Sequence, residues 1–499
     1  MKGLVRDIDV LLPDHWSGER LRRLLAWLES GLVERRREVR LILLCALAGE
    51  HTLLIGPPGT AKSELARRLH RVFRGGRYFE RLLTRFSVPE ELFGPLSISA
   101  LEQDRYERHT AGFLPDASIA FIDEVFKANS AILNALLTLL NEREFDNGAG
   151  RMLCPLISVI GATNEVPDDE VGEAFFDRFL LRLRVSPVSE AGFRNLLATV
   201  SATASVARGE SDDRREDVAD ALEIGELHAL RAAAAAVELP AQVLSVLVEL
   251  RAWLIEQRIH VSDRRWVKVV GLLRTAAAAE RRALITLWDL WLLPWCVAAD
   301  GGETARVEAW LDVRIGLAAA CLPEYLTRLV EAFEAQLVVE REANDLDYDE
   351  SGRLRFSTDG LADAIGDAKG GARALRLTAA RRRRYGETHV RARTAQIDDA
   401  VARASGYVDE LGRTRQAFEG YAEASVWMDP PVVLRIRESL ATTARVLDSL
   451  TERLHQVRAG FECLPRLLPD PGIEPEAVSA ELPDQERGRD ASATGGTGA

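Results

Sequence analysis

The residues best suited to chemistry lie between two apolar stretches, in Gly56-Pro57-Pro58-Gly59-Thr60-Ala61-Lys62-Ser63. A glycine-bearing turn from a strand into a helix presents backbone N–H groups at the positive end of the helix dipole, which suits a phosphate. Lys62 adds a point charge for β- and γ-phosphates, and the Ser63 hydroxyl is a ligand for Mg2+. The usual pattern is G-x-x-x-x-G-K-[ST], and here Ala61 stands where the second glycine would be. Alanine fits there only at a backbone angle an L-residue accepts, because freedom at φ > 0 belongs to glycine.

Two further stretches end in polar groups. "IAFIDE" (119–124) finishes in Asp123-Glu124. The first acid can hold Mg2+ through water, and the second can orient and activate an attacking water. "LISVIGATNE" (156–165) carries Thr163-Asn164, and Asn164 beside the second acid can hydrogen-bond the water or the γ-phosphate. Two arginine positions complete the set. Arg178 follows Asp177 in "EAFFDRFLLRL" (173–183), and Arg264 and Arg265 sit in "HVSDRRWVKVV" (260–270), where Ser262 is the expected helix N-cap. The eight histidines form no metal-binding spacing such as H-E-x-x-H.

These residues need a scaffold that brings distant strand ends together. Strands are expected at 51–55, 81–86, 119–122, 156–162 and 181–185, and helices at 20–48, 63–73, 130–142 and around 173–179. Such alternation with short connections implies a parallel sheet with helices on both faces. After Pro187 the pattern is helical only, near 189–204, 226–236, 241–258, 263–275 and 283–297, with the polar linker 208–220 between the first two. Beyond residue 301, apolar seams at steps of three, four or seven predict three antiparallel helices. The first seam is Leu326, Val330, Phe333 and Leu337. The second is Val401, Ala404, Val408, Leu411 and Phe418, and the third is Leu440, Leu447, Leu450, Leu454 and Val457. Short alternating runs, "RLRF", "ALRLT" and "THVRART", suggest a small β-containing insert over 345–394.

The expected domains are therefore 1–187, an α/β nucleotide-binding subdomain; 188–300, an all-α lid; 301–344 with 395–465, a discontinuous triple-helical domain; 345–394, the insert; and 466–499, a tail. From Asp470 to Ala499 there are seven acidic and two basic residues, a net of −5, among Pro, Gly, Ser and Ala. Such a composition predicts disorder. The overall charge of −13 argues against a general nucleic-acid binder, which shows a basic face. The basic run that stands out is Arg381 to Arg384, read as a solvated loop. Five cysteines without C-x-x-C fit reduced thiols and a cytoplasmic location. The most apolar long window, 284–299, is too short to span a bilayer and carries Asp289 and Pro294.

The ordered set GPPGTAKS, FIDE, ATN, DRF and an arginine-bearing helical lid resembles the AAA+ ATPases. "SVPEELFGPLS" (87–97) looks like the segment after the second strand in their helix-2-insert clade, and the GPPG-x-AKS loop is the MoxR form, so Ala61 is a family variant. "GLVERRREVRLILLCALAGE", "TRFSVPEELFGPLSISAL", "FIDEVFKANSAILNALLTLLNEREFDNG" and "VSDRRWVKVVGLL" together are similar to the RavA (regulatory ATPase variant A) subgroup of the MoxR family, over about 20–275. The fold implied is an α/β P-loop AAA+ module with an α-helical lid, followed by a triple-helical bundle with a small β-containing insert.

The resemblance implies binding of ATP or ADP along the loop residues Gly56 to Ser63, with Mg2+ held by Ser63 and Asp123. It makes Glu124 the group that polarises the water, Asn164 the first sensor, Arg178 the arginine finger acting on a neighbour's nucleotide, and Arg264 the second sensor, with Arg265 the fallback. Adenine would sit near Val33. A finger working in trans implies a homo-oligomeric ring, a hexamer, with the "REFDNGAGRML" hairpin towards its centre. Members work with a von Willebrand factor A-domain protein. In enterobacteria they also work with an inducible lysine decarboxylase, for which the short insert offers no residue match. The expectation is an ATPase that remodels, matures or regulates a protein partner. The alternatives are a nucleotide-gated scaffold and a nucleic-acid motor.

Overall fold

The computed structural model describes residues 8–148, 150–164, 170–197, 218–315, 324–346 and 380–479. The chain forms two compact units, one of Met1–Ile315 with Phe418–Ile436 and one of Gly316–Ala417 with Arg437–Ala499.

In the first unit, the buried runs become strands β1 (His51–Ile55), β3 (Ile119–Asp123) and β6 (Ser158–Thr163). With β2 (Tyr78–Leu82) and β7 (Phe179–Arg184) they form one parallel sheet in the order β2-β3-β6-β1-β7. β4 (Glu144–Asp146) and β5 (Arg151–Leu153) form a separate antiparallel hairpin. The inner strands β1 and β6 are buried along their whole length, and β3 along all but its last residue, because both sheet faces are covered. Helix Arg36–Ala48 packs on β1 and β7, and helix Lys62–Val72 packs on β3. Leu53, Ile122, Leu136, Val159 and Phe179 lie in one buried core.

The helical region of this unit includes Ile224–Ala236, Ala241–Glu256, Asp263–Ala279 and Gly301–Ile315. Ser262 caps the third of these by accepting from the Arg265 N–H. The small residues that end it, Ala276 to Ala279, are buried. Two indoles donate to their carbonyls, Trp427 Nε1 to Ala276 at 3.2 Å and Trp16 Nε1 to Ala279 at 3.0 Å.

In the second unit, Glu324–Glu342 and parts of two long helices, Glu387–Ala424 and Pro430–Glu462, pair through buried seams. Leu326, Val330 and Phe333 are buried, as are Leu440, Leu447, Leu450 and Leu454. Ion pairs join the helices along the rim, Arg453 to Glu334 and Arg458 to Asp398, both at 2.6 Å. A two-stranded ladder, β8 (Asn344–Leu346) with β9 (Ala380–Arg382), stands at the base of the expected insert. The runs "RLRF" and "ALRLT", and with them the body of that insert, lie outside the described residues.

Several expectations are corrected. The second strand is Tyr78–Leu82, not 81–86, because Thr84 and Ser87 close a turn. Thr84 N donates to Ser87 Oγ at 3.1 Å, and Ser87 N donates to Thr84 O at 3.1 Å. The stretch 283–297 is a capped 3-10 turn, Leu287–Leu292, followed by the short helix Leu293–Val297. Its Thr286–Asp289 capping box and Pro294 restart the chain there. "THVRART" is helical, because the long helix begins at Glu387. Its cap comes from far away: Asp470 Oδ2 accepts from Thr388 N at 2.8 Å. Part of the expected tail is thereby ordered, and Arg393 Nη1 donates to Glu476 O at 2.6 Å. The seam of the same helix runs through Ile397, Ala400, Ala404 and Leu411, with Val408 exposed.

Candidate active site

At the end of β1, Gly56 N donates to Thr163 O at 2.9 Å. A Cβ on Gly56 would lie 2.2 Å from Val185 O, so close backbone approach requires glycine there. Gly59 has φ +79°, and Thr60 Oγ1 donates to Pro57 O at 2.9 Å, closing the loop. Ala61 takes φ +68°, ψ +22°, the left-handed conformation glycine usually supplies. The helix that follows, Lys62–Val72, has no side-chain cap at its N-terminus. Its first N–H groups are therefore left for an anion.

Lys62 is buried, and its ammonium donates to Gly56 O at 2.6 Å and Pro57 O at 2.9 Å. Burial lowers its pKa, while the negative charges of Asp123 and Glu124 act the other way. The three groups thus share one electrostatic site at the carboxyl ends of β1 and β3, where open parallel sheets bind ligands.

Asp123 ends β3, and its Oδ1 accepts from Glu124 N at 3.0 Å. Glu124 is itself left-handed, at φ +53°, ψ +42°. Its carboxylate has two partners. Asn164 Nδ2, just past β6, donates to Oε1 at 2.8 Å, and Lys127 Nζ lies 3.2 Å from Oε2. Among the described residues no group of three or more His, Cys, Asp or Glu could enclose a metal. Mg2+ bound with nucleotide phosphates needs only one or two protein ligands, and the Ser63 hydroxyl and the Asp123 carboxylate are donors of the kind that would fit it.

Val33 is half-buried, and its chain neighbours reach the loop. Arg35 donates from Nε to Thr60 O at 3.2 Å and from Nη2 to Ser186 O at 2.7 Å. Glu34 accepts from Ser189 N at 2.7 Å. The 33–35 segment is thereby fixed between the phosphate loop and the chain leaving β7.

The three arginines are elsewhere. β7 is parallel to β1, with Phe179 opposite His51 and Arg184 opposite Ile55. Phe179 and Ile55 thus lie four rises of about 3.3 Å apart along the strands, roughly 13 Å, with Arg178 before the first at the entry edge of the sheet and the loop after the second at the exit edge. Arg178 lies 3.6 Å from Asp177, and burial and the Arg264 charge both depress its pKa. Arg264 is exposed and reaches Asn141 Oδ1 at 3.4 Å. Arg265 is 2% exposed and committed to carbonyls: Cys296 O at 2.7 Å, Phe179 O at 2.6 and 2.9 Å, and Leu180 O at 3.3 Å.

The structure therefore gathers Lys62, Asp123, Glu124 and Asn164, with the Val33 segment alongside. It puts Arg178 and Arg264 together at the other edge. Sequence reasoning missed Arg35 and Lys127. Nothing in "GLVERR" marks Arg35, whereas Lys127 lies in "FIDEVFKAN" three residues after Glu124, a spacing that brings side chains together only in a helical turn.

Residues 19–228 match the family model of the MoxR domain in the MoxR-vWA-beta-propeller ternary systems, and residues 242–311 match an AAA lid domain. Two uncharacterized proteins of Methanocaldococcus jannaschii are each 39% identical. One match covers 55% of this chain and 69% of the relative, the other 50% and 64%. The protein MoxR of Paracoccus denitrificans is 30% identical over 33% of this chain and 50% of its own length.

Proposed function

The chain belongs to the MoxR family of AAA+ ATPases, and from that premise we propose that it hydrolyses ATP in an oligomeric ring to remodel, mature or regulate a protein partner. Loop residues Gly56 to Ser63 bind the phosphates, and the Val33 segment the adenine. Ser63 and Asp123 would hold Mg2+, which when bound would supply positive charge to the nucleotide phosphates. Glu124 takes a proton from water as the water oxygen bonds the γ-phosphorus. The bond from that phosphorus to the bridging oxygen breaks, and ADP leaves. Asn164 reports the γ-phosphate to Glu124.

One observation carries the shared-site reading. Arg178 and Arg264 lie together at the sheet edge opposite their own phosphate loop, too far to touch the same nucleotide. Both then serve the nucleotide of a neighbouring copy, Arg178 as the finger and Arg264 as the second sensor. An arginine finger such as Arg178 is worth ~10³–10⁵ in rate in related phosphoryl-transfer systems. A hexameric ring supplies that neighbour, with the β4–β5 hairpin towards the centre. The RavA subgroup assignment rests on the stretches 31–50, 84–101, 121–148 and 261–273. The family model's description favours a von Willebrand factor A-domain partner, and cytoplasmic residence fits the reduced thiols.

Steady-state ATPase activity across a wide range of protein concentration tests the reading, with Arg178→Ala alongside. Specific activity should rise with concentration, and the variant should stay low throughout. Flat specific activity with Arg178→Ala unimpaired would replace the ring with a monomeric nucleotide switch.

A further inference from the structure

Glu124 and Lys127 are held at a fixed offset by the backbone itself. Lys127 N donates to Glu124 O at 2.9 Å, closing the 3-10 turn Val125–Lys127, and Val125 at its start is fully buried. The next residues extend the anchor. Asn129 caps helix Ser130–Glu142 by accepting from Ile132 N at 3.0 Å, and its Nδ2 donates to Ser87 O at 3.2 Å. Lys127 thus projects from a short turn pinned at both ends, with its ammonium 3.2 Å from Glu124 Oε2.

We infer that Lys127 is a positioning residue that fixes the plane of the Glu124 carboxylate during hydrolysis; this rests on the reading of Glu124 as the base. The two grips on the carboxylate differ in kind. The Asn164 grip on Oε1 is shared with substrate, because the same amide is the group proposed to meet the γ-phosphate or water. The Lys127 grip on Oε2 has no such second duty. When Asn164 turns to the substrate, Oε2 stays anchored and Oε1 is left pointing in one direction to accept the proton. A base gains its effect only when held within hydrogen-bond reach of that proton. A carboxylate free to rotate about its own bonds spends most of its time elsewhere. The Lys127 side chain is 55% exposed and its charge is screened by solvent, so what it supplies is orientation.

The test is kinetic, on the full chain, with MgATP, comparing Lys127→Ala, Lys127→Arg and Glu124→Gln. Lys127→Ala should lower kcat about tenfold or more with KM within about twofold and thermal stability unchanged. Lys127→Arg, which keeps the cation, should restore most of kcat, and Glu124→Gln should be inactive. If Glu124→Gln is inactive while Lys127→Ala turns over at the wild-type rate, the pair is a solvated surface contact and the inference is overturned. It is equally overturned if Lys127→Ala acts through KM or thermal stability, or if arginine does not rescue it. If Glu124→Gln keeps its activity, the base assignment itself fails and the inference falls with it.

Discussion

The Arg265 guanidinium closes on the Phe179 carbonyl with two N–H groups, Nη1 at 2.9 Å and Nη2 at 2.6 Å. It also reaches Cys296 O and Leu180 O and lies 3.7 Å from Asp177. Arg265 thus clamps the lid helix Asp263–Ala279 to the start of β7, while Arg264 beside it faces solvent. The adjacent arginines should separate cleanly on mutation. Arg265→Ala leaves several buried carbonyls without a donor and should cost about 3 kcal/mol or more, seen as a lowered melting temperature. Arg264→Ala should melt like the wild type and lose ATPase activity. Equal melting of both variants would remove the clamp from Arg265.

Ala61 holds a conformation that disfavours every residue with a Cβ, at a cost of about 1–2 kcal/mol. Ala61→Gly should therefore raise stability by about 0.5–1 kcal/mol, the relief of strain being partly offset by glycine's freer unfolded chain. ATP hydrolysis should persist, since the loop path is unchanged. Denaturant melts of the pair measure this, and a less stable glycine variant would mean that the backbone at 61 is not left-handed.

The strand ends that carry Lys62, Asp123, Glu124 and Asn164 are legible in the sequence because local patterns set them. Each follows a short apolar run that a doubly covered parallel strand explains, and β1, β3 and β6 stand within two residues of expectation. What escapes depends on distant partners. The start of helix Glu387–Ala424 is fixed by Asp470, which no local window contains. Arg264 and Arg265 are chemically identical in sequence, and only the Phe179 and Cys296 carbonyls tell them apart. Lys127 reads as an ordinary surface lysine, and only the 3-10 turn places it on Glu124.

Glu340 is the centre of a buried polar cluster in the second unit. It accepts from Arg393 Nε at 3.0 Å and Nη2 at 2.9 Å, from His389 at 2.8 Å and from Gln336 at 2.9 Å. Burial opposes its ionisation, yet these donors hold its carboxyl below the usual range. Glu340→Ala would leave the buried Arg393 guanidinium without its carboxylate partner and should destabilise the helical unit by about 3–5 kcal/mol. Limited proteolysis of the full chain should then cut within 387–462 far faster than in the wild type. Unchanged resistance there would show that Arg393 finds compensation elsewhere.

His51 gives the fold a pH dependence of its own. Its Nδ1 accepts from Val159 N at 3.0 Å, which leaves Nε2 as the donor to Leu140 O at 3.1 Å. The ring is therefore neutral, joining the start of β6 to the end of helix Ser130–Glu142. Complete burial, with the Arg143 and Lys268 charges nearby, holds its pKa well below the ordinary histidine value. The unfolded chain binds the proton near pH 6.5, and the folded chain does not. The contribution of His51 is therefore whole above pH 6.5 and is lost as pH falls below it, by up to about 1.4 kcal/mol per pH unit. Gln at this position keeps a donor and an acceptor but does not titrate. Melts of the wild type and His51→Gln from pH 7 to pH 5 should show a steeper fall for the wild type, while parallel curves would mean that a protonated His51 is accommodated in the core.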